Sequence, residues 1–216
     1  MIAVVTKVLM GYSVAISGAT GGLGRELCQQ SVEKGWSTFA LTRSTSARVF
    51  APYRAGDMRK GAGYPPPELL SPLLTVVHHD DSIALGVRYD ALVLALGGKP
   101  LKVDDTTRIV RALCSDLPQS CKSVCLVSAY GVGSSLSGAN AGIRIMESWY
   151  LQDVYAAKRE QEGIVRALRK KGIQTLILRP KALSYGNMTP FDALLPRKEV
   201  ASSILEWCAE SAITLG

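Results

Sequence analysis

The sequence predicts an α/β protein, a three-layer α-β-α sandwich around a doubly wound parallel sheet, and three observations lead to this class. Short apolar runs, which suit strands buried on both faces, alternate along the chain with amphipathic helical segments. A glycine-rich turn lies between the first strand and the first helix. The 216 residues are 47% hydrophobic and 20% charged, which favours one globular domain over residues 1–216.

The chain begins with the pattern of a β-α-β unit. The apolar run Tyr12–Ser17 predicts the first strand, and residues 1–11 before it are interpreted as an N-terminal extension. Apolar residues at helical spacing predict a helix over 23–34, and Gly35 follows where a helix end favours positive φ. Trp36–Thr42 is aromatic and β-branched, which predicts the second strand.

The middle of the chain has less regular patterning. A short helix is expected over Ser46–Phe50, and a Gly/Pro-rich loop over 53–72. The remaining strands are expected at Leu73–Val77, Ala91–Leu96, Val124–Val127 and Thr175–Leu178. The remaining helices are expected at Thr106–Leu117, Val154–Lys171 and Lys198–Glu210. Alternation of this kind implies right-handed crossovers between parallel strands.

The glycine-rich turn Gly18-Ala-Thr-Gly21-Gly-Leu-Gly24 carries most of the functional information. At the first strand-to-helix turn, the first glycine permits a tight turn and the second permits close approach of a diphosphate. The third glycine lets the helix pack closely on the strand. Backbone N–H groups at the helix start then face the phosphates. This placement predicts nucleotide binding.

The end of the second strand indicates which dinucleotide is bound. An acidic residue there would hold the ribose hydroxyls of NAD, but the strand ends in Thr42, Arg43 and Ser44. Arg43 is suited to pair with a 2′-phosphate, and Ser44 to add a hydrogen bond. We therefore expect NADP(H) as the cofactor.

Motifs spread over nearly the whole chain resemble those of one family. They are Gly18 to Gly24, Thr42-Arg43, Asp80-Asp81, Ala95-Leu-Gly97, Val127-Ser-Ala-Tyr-Gly131, Lys158 with Glu162, Leu178-Arg-Pro-Lys-Ala-Leu183 and Arg197-Lys-Glu-Val-Ala201. In this order they resemble the atypical short-chain dehydrogenases, in particular the compact NAD(P)-binding group of NmrA-like proteins and the flavin/biliverdin reductase B class. That resemblance implies a Rossmann fold.

The resemblance, together with the glycine turn, gives a set of expected cofactor-binding residues. Asp80 and Asp81 are implied beside the adenine, and Pro180 to Leu183 along the nicotinamide. The full set is Gly18, Thr20, Gly21, Gly22, Leu23, Gly24, Arg43, Ser44, Asp80, Asp81, Ala95, Leu96, Gly97, Ser128, Lys158, Pro180, Lys181, Ala182 and Leu183. No metal is expected, because the adjacent residues His78 to Asp81 alternate sides on a strand and cannot converge on one ion.

The resemblance also implies candidate catalytic residues. Ser128 and Lys158 match the serine and lysine that short-chain dehydrogenases use in carbonyl reduction. The tyrosine of that set is expected four residues before the lysine, but Tyr155 stands three before Lys158, about 100° away around the helix. Tyr155 is the candidate proton donor, with Tyr130 or Tyr150 as substitutes. A conjugated acceptor such as a flavin, quinone or linear tetrapyrrole would need no such donor.

Two functions are therefore compatible with the sequence. One is an NADPH-dependent oxidoreductase with a small-molecule acceptor, and the other is a catalytically inactive NADP(H) sensor or scaffold that regulates a protein partner. Motifs of serine hydrolases, phosphate-loop kinases and zinc proteases are absent.

Charge and apolar patterning address location. The net charge is +7, but the basic stretch Lys158 to Lys171 interleaves acids and contains no aromatic residue, so nucleic-acid binding is not expected. No apolar run is long enough to span a membrane, and the 5 cysteines suit buried thiols in a reducing compartment. We expect a cytoplasmic protein, although a removed organellar presequence would leave no trace.

Overall fold

A six-stranded parallel sheet forms the centre of the molecule. The structure, a computed structural model, describes residues 11–43, 46–52, 67–78, 86–97, 103–136, 152–180, 183–184 and 195–214. The strands of the sheet are β1 (Ser13–Ser17), β2 (Ser37–Thr42), β3 (Leu74–His78), β4 (Ala91–Leu94), β5 (Ser123–Val127) and β6 (Gln174–Leu178). Their order is β3-β2-β1-β4-β5-β6, and every neighbouring pair is parallel.

Helices cover both faces of the sheet. They are α1 (Gly22–Glu33), α2 (Val103–Ser115), α3 (Gln152–Ala167) and α4 (Arg197–Thr214). A short parallel pair, β7 (Leu183–Ser184) and β8 (Leu195–Pro196), precedes α4. None of the helices in the described ranges is long and apolar enough to cross a membrane.

The core consists of two apolar layers separated by the sheet. Val14 and Ile16 of β1 pack with α1 and α4 on one face, whereas Ala15 between them packs with α2 and α3 on the other. Side chains alternate across a strand, so a strand buried on both faces is apolar at successive positions. This explains why the strands appear in the sequence as short continuous apolar runs, and it confirms the predicted three-layer class.

One expected helix is wrong. Residues 46–49 are not helical, and Phe50 forms an isolated antiparallel bridge with Glu68. The Ala51 N–H donates to Pro67, and the Leu69 N–H donates to Val49. One turn of helix costs more to nucleate than its single hydrogen bond returns, so this short segment pairs with another strand-like segment. Residues 53–66 of the expected Gly/Pro-rich loop lie outside the described residues.

Element ends differ modestly from expectation. The predicted helix up to Lys171 is α-helical only to Ala167 and continues as a 3₁₀ turn over Leu168–Lys171. Gly172 ends the helix with φ of 77°, a left-handed conformation that glycine adopts without strain. The final helix extends to Thr214, beyond the expected end at Glu210.

Candidate functional site

The turn between β1 and α1 needs glycine at two positions, because a side chain at either would collide with backbone atoms. Gly18 has φ of +86°, and a Cβ placed there would lie 2.5 Å from the carbonyl oxygen of Ala95. At Gly24, a Cβ would lie 2.1 Å from the carbonyl oxygen of Gly18. The Gly21 N–H donates to that same oxygen at 2.9 Å and closes the turn. The backbone therefore approaches β4 and the helix more closely than any side chain would permit.

The N-terminus of α1 opens towards the cleft above the sheet. Gly21 is the N-cap residue; it has extended backbone and, among the described residues, no side chain caps the helix. No acidic residue occurs in the first turn of α1. The first N–H groups of a helix have no partner within it, and the helix dipole adds partial positive charge there. This end of α1 can therefore receive an anionic group.

A cleft of about 550 Å³ lies over the carboxyl ends of the strands. It sits where the strand order reverses, between β1 and β4, which is the usual ligand position in doubly wound sheets. The expected residues that line it are Gly18, Thr20, Gly21, Gly22, Leu23, Arg43, Ala95, Leu96, Gly97, Ser128, Pro180 and Leu183. The expected residues Ser44, Asp80, Asp81, Lys181 and Ala182 lie outside the described residues.

Arg43 lies at the end of β2, on the rim of the cleft. One of its guanidinium nitrogens is 3.2 Å from a carboxylate oxygen of Asp105, near the start of α2. Arg108 holds the other oxygen of the same carboxylate at 3.3 Å. The Arg43 side chain remains 54% exposed, so this ion pair leaves it accessible to a ligand.

Lys158 lies beneath the floor of the cleft. Its ammonium group donates to the carbonyl oxygens of Leu96, at 2.9 Å, and Val127, at 3.1 Å, just beyond β4 and at the end of β5. Burial lowers the pKa of Lys158 to about 8, and the nearby Glu162 carboxylate opposes that shift only in part. The lysine therefore ties together two segments whose residues line the cleft.

Ser128 and Tyr155 have different surroundings. Ser128 lines the cleft, and its N–H donates to the Leu178 carbonyl at 2.8 Å. Tyr155 is 7% exposed, and its hydroxyl donates to the carbonyl of Tyr130 at 3.1 Å, beneath the segment that follows β5. Tyr155 is not among the described residues that line the cleft. Of the two substitutes, Tyr150 lies outside the described residues.

A buried carboxylate joins the ends of several elements beside the site. Glu162 of α3 accepts two hydrogen bonds from Arg179, both at 2.7 Å, and one from Arg166 at 2.7 Å. Burial alone would raise the pKa of Glu162, but Arg179, Ser128 and Arg166 together hold it below its ordinary value. Since Arg179 follows β6 directly, this pairing fixes the segment that leads to Pro180.

Several cleft residues were not expected from the sequence. They are Ser17, Leu41, Thr42, Ala47, Ile109, Val127 and Arg197. Most are apolar or lie at the end of a strand, so the sequence pattern marks them as core residues and does not show that they line the cleft. Arg197 does carry a signal in the sequence, because it begins the motif Arg197-Lys-Glu-Val-Ala201 and is the only charged residue in this group.

No protein-family model and no curated protein sequence matches the chain. Solved structures do. An oxidoreductase from Lactococcus lactis has a TM-score of 0.66 and 17% identity over 92% of this chain and 85% of its own. An anaerobillin reductase from Escherichia coli O157:H7 has a TM-score of 0.59 and 16% identity over 90% and 89%. A carbonyl reductase from Pseudomonas aeruginosa PAO1 has a TM-score of 0.57 and 18% identity over 93% and 92%.

At these identities the likeness is one of fold. The order of strands, the glycine turn and the position of the cleft all agree with it. The chain has the Rossmann fold of these oxidoreductases, in agreement with the resemblance of its motifs to the atypical short-chain dehydrogenases.

Proposed function

We propose that the protein is an NADP(H)-binding oxidoreductase of the atypical short-chain dehydrogenase type, which passes hydride from NADPH to a small conjugated acceptor such as a flavin, quinone or tetrapyrrole. The observation that carries the proposal is the glycine turn at the head of the cleft. A Cβ at Gly18 or Gly24 would collide with backbone, while the N–H groups at the start of α1 remain directed to the cleft. This arrangement fits a diphosphate.

The residues of the cleft fit the rest of a dinucleotide. Thr20 to Leu23 would hold the diphosphate, and Arg43 would hold the 2′-phosphate of the adenosine ribose. Ser128, Pro180 and Leu183 would flank the nicotinamide. The small residues Ala95 and Gly97 leave space for the sugar between these two ends.

The residues that line the cleft support the proposed class of acceptor. Bound NADPH supplies the hydride, and the remaining requirement is a proton. Ser128 offers a hydroxyl, but no tyrosine is among the described lining residues, and the Tyr155 hydroxyl is engaged with the Tyr130 carbonyl. A conjugated acceptor can take its proton from water, which favours this class over simple carbonyl compounds. The solved neighbours include an anaerobillin reductase, which supports a reductase reaction.

The cofactor part of the proposal is tested by calorimetric titration of the wild-type protein and Arg43→Ala with NADPH and NADH. We expect the wild type to bind NADPH more tightly than NADH. Arg43→Ala should lose about tenfold or more in NADPH affinity, because a charge-assisted contact to the 2′-phosphate is removed, and should bind NADH unchanged. Equal binding of both nucleotides by the wild type would contradict the preference for NADP(H).

The reaction is tested by following NADPH oxidation with flavins, quinones and linear tetrapyrroles. We expect turnover with at least one acceptor. The rate should fall in Ser128→Ala, because Ser128 would flank the nicotinamide, and should stay near normal in Tyr155→Phe. A rate that falls at least a hundredfold in Tyr155→Phe with unchanged NADPH affinity would instead assign the proton to Tyr155. Tight NADPH binding without oxidation by any acceptor would contradict the reductase and favour a regulatory role.

A further inference from the structure

Arg197 begins α4 and lines the same cleft as the glycine turn. It follows β8 directly, and β8 pairs with β7, whose Leu183 also lines the cleft. The half-buried Arg197 is thus placed by the C-terminal part of the chain, more than 170 residues after the turn it shares the cleft with. Because α4 and α1 pack together on one face of the sheet, Arg197 stands on the same face as the N-terminus of α1.

The charges around the cleft point to a ligand with two separate anionic groups. Among the described lining residues, the charged ones are Arg43 and Arg197, and both are cations. Arg43 is bridged to Asp105 of α2, on the opposite face of the sheet from α4. The two guanidinium groups therefore enter the cleft from different faces.

The charge of Arg197 reaches α1. Burial raises the pKa of Glu26, in the second turn of α1. A hydrogen bond with Gln30 offsets part of that rise, and the positive charges of Lys198 and, less strongly, Arg197 offset a further part. The start of α1 between Glu26 and the cleft carries no acidic residue. Arg197 and the N–H groups of this first turn thus add positive potential to the same side of the cleft.

We propose that Arg197 is a second cofactor-binding arginine, which pairs with the diphosphate beside the N-terminus of α1. This inference rests on the proposed function and deepens it. The diphosphate of NAD(P)H carries about two negative charges, and a planar guanidinium can pair with its oxygens in bidentate fashion. Arg43 would then recognise only the 2′-phosphate, whereas Arg197 would bind a group that NADPH and NADH share.

This division of roles gives an experiment in which the two arginines behave differently. Calorimetry compares the wild type, Arg197→Gln and Arg43→Ala with three ligands: NADPH, NADH and adenosine 2′-monophosphate, which has no diphosphate. Arg197→Gln should weaken NADPH and NADH binding alike, by about tenfold or more, and leave adenosine 2′-monophosphate binding unchanged. Arg43→Ala should weaken NADPH and adenosine 2′-monophosphate and spare NADH.

Lys198→Gln is the matched control. It removes the same charge from the next residue, whose side chain is exposed and does not line the cleft, so its affinities should stay within about twofold of the wild type. Arg197→Lys keeps the charge but loses the planar fork, and should bind with an affinity between those of Arg197→Gln and the wild type. Thermal unfolding of each variant shows whether it is folded.

Each contrary result has a distinct meaning. If the wild type binds NADPH, Arg43→Ala loses it and Arg197→Gln keeps both dinucleotides at wild-type affinity, the role of Arg197 is refuted and the proposed function stands. If Arg197→Gln also loses affinity for adenosine 2′-monophosphate, the effect is not specific to the diphosphate and the inference fails. It fails likewise if Lys198→Gln loses as much affinity for the dinucleotides as Arg197→Gln does. A wild type that binds no nucleotide overturns the inference and the proposed function together.

Discussion

Arg43 is shared between a carboxylate of the protein and the phosphate it is proposed to bind. Asp105 lies 3.2 Å from Arg43, and its negative charge would also act on a phosphate at the same place. The ion pair is exposed, so its own contribution to stability is small. Its larger consequence is for the ligand, because Asp105 opposes the attraction that Arg43 and Arg108 exert on a 2′-phosphate.

We therefore expect Asp105→Asn to bind NADPH more tightly than the wild type, by about two- to fivefold, with NADH affinity unchanged. Asp116→Asn is the control, because Asp116 follows the other end of α2 and its loss changes the net charge equally. Calorimetry at low salt measures the difference. Weaker NADPH binding in Asp105→Asn would mean that Asp105 serves chiefly to orient Arg43.

Lys158 lowers the stability of the fold at neutral pH, because its ammonium group is buried. Its pKa of about 8 lies below the ordinary value of 10.5, so between these two values the unfolded chain binds more protons than the folded one. The free energy of unfolding must then rise with pH across that range. At neutral pH the protein carries the cost of burying this ammonium group.

Lys158→Met removes that dependence. We expect the difference in unfolding free energy, wild type minus Lys158→Met, to increase by about 2 kcal/mol between pH 7 and pH 10. Urea denaturation of both proteins at the two pH values measures it, and taking the difference cancels the titration of the other groups. An unchanged difference would show that Lys158 is not buried in its charged form. The variant should also bind NADPH more weakly, since it loses the link between Leu96 and Val127.

Among the glycines in the part of the chain that the structure describes, Gly24 of the β1–α1 turn leaves the least room for an added Cβ. At Gly24 a Cβ would meet the Gly18 carbonyl at 2.1 Å, and neither backbone can move without separating the helix from the strand. We expect Gly24→Ala to lower the free energy of unfolding by about 2–4 kcal/mol and to weaken NADPH binding. Chemical denaturation and calorimetry measure these two effects.

Gly163 provides the matched substitution. It lies within α3, it is exposed, and a Cβ there would meet nothing within 4 Å. Gly163→Ala should therefore raise stability by about 0.5–1 kcal/mol, because alanine favours the helix and restricts the unfolded chain. Equal effects of the two substitutions would show that the close approach at Gly24 does not constrain the turn.

The elements that the sequence predicted are those whose signals are local. The six strands of the sheet follow from continuous apolar runs, and the turn at Gly18 follows from glycines at fixed spacing within one short segment. The short helix expected over Ser46–Phe50 was wrong because its backbone pairs with residues around Glu68, which is a distant partner that the local pattern does not reveal.

The parts of the site that escaped prediction depend on contacts between distant residues. Arg43 and Asp105 are separated by 62 positions, and nothing in either segment indicates the pairing. The β7–β8 pair has only two residues in each strand, too few to show a periodic pattern, yet it brings Arg197 to the cleft. Lys158 and Ser128 were expected at the site, but the partners of Lys158 are main-chain carbonyls, which leave no trace in a sequence.

Across the whole molecule, the sheet separates two apolar layers that both contain cysteine. Cys28, Cys125 and Cys208 lie in the layer beneath α1 and α4, and Cys114 and Cys121 in the layer beneath α2 and α3. All are free and buried. Burial raises the pKa of four of these thiols to about 12, and that of Cys208 well above its ordinary value. Thiolates, which are the reactive form, are therefore scarce in the folded protein.

The rate at which these buried cysteines are alkylated reports on ligand binding. A thiol-alkylating reagent should label cysteines from both layers at a common rate. The thiols of either layer become accessible only when the sheet between the layers is disrupted, and that disruption exposes both layers together. NADPH at 100 times its dissociation constant should slow that labelling about a hundredfold, since it binds only the folded chain. Mass spectrometry of the labelled protein would measure the labelling rate of each layer and its change with NADPH. The measurement needs no acceptor and no turnover. Rapid labelling of one layer alone would show that the two faces open independently.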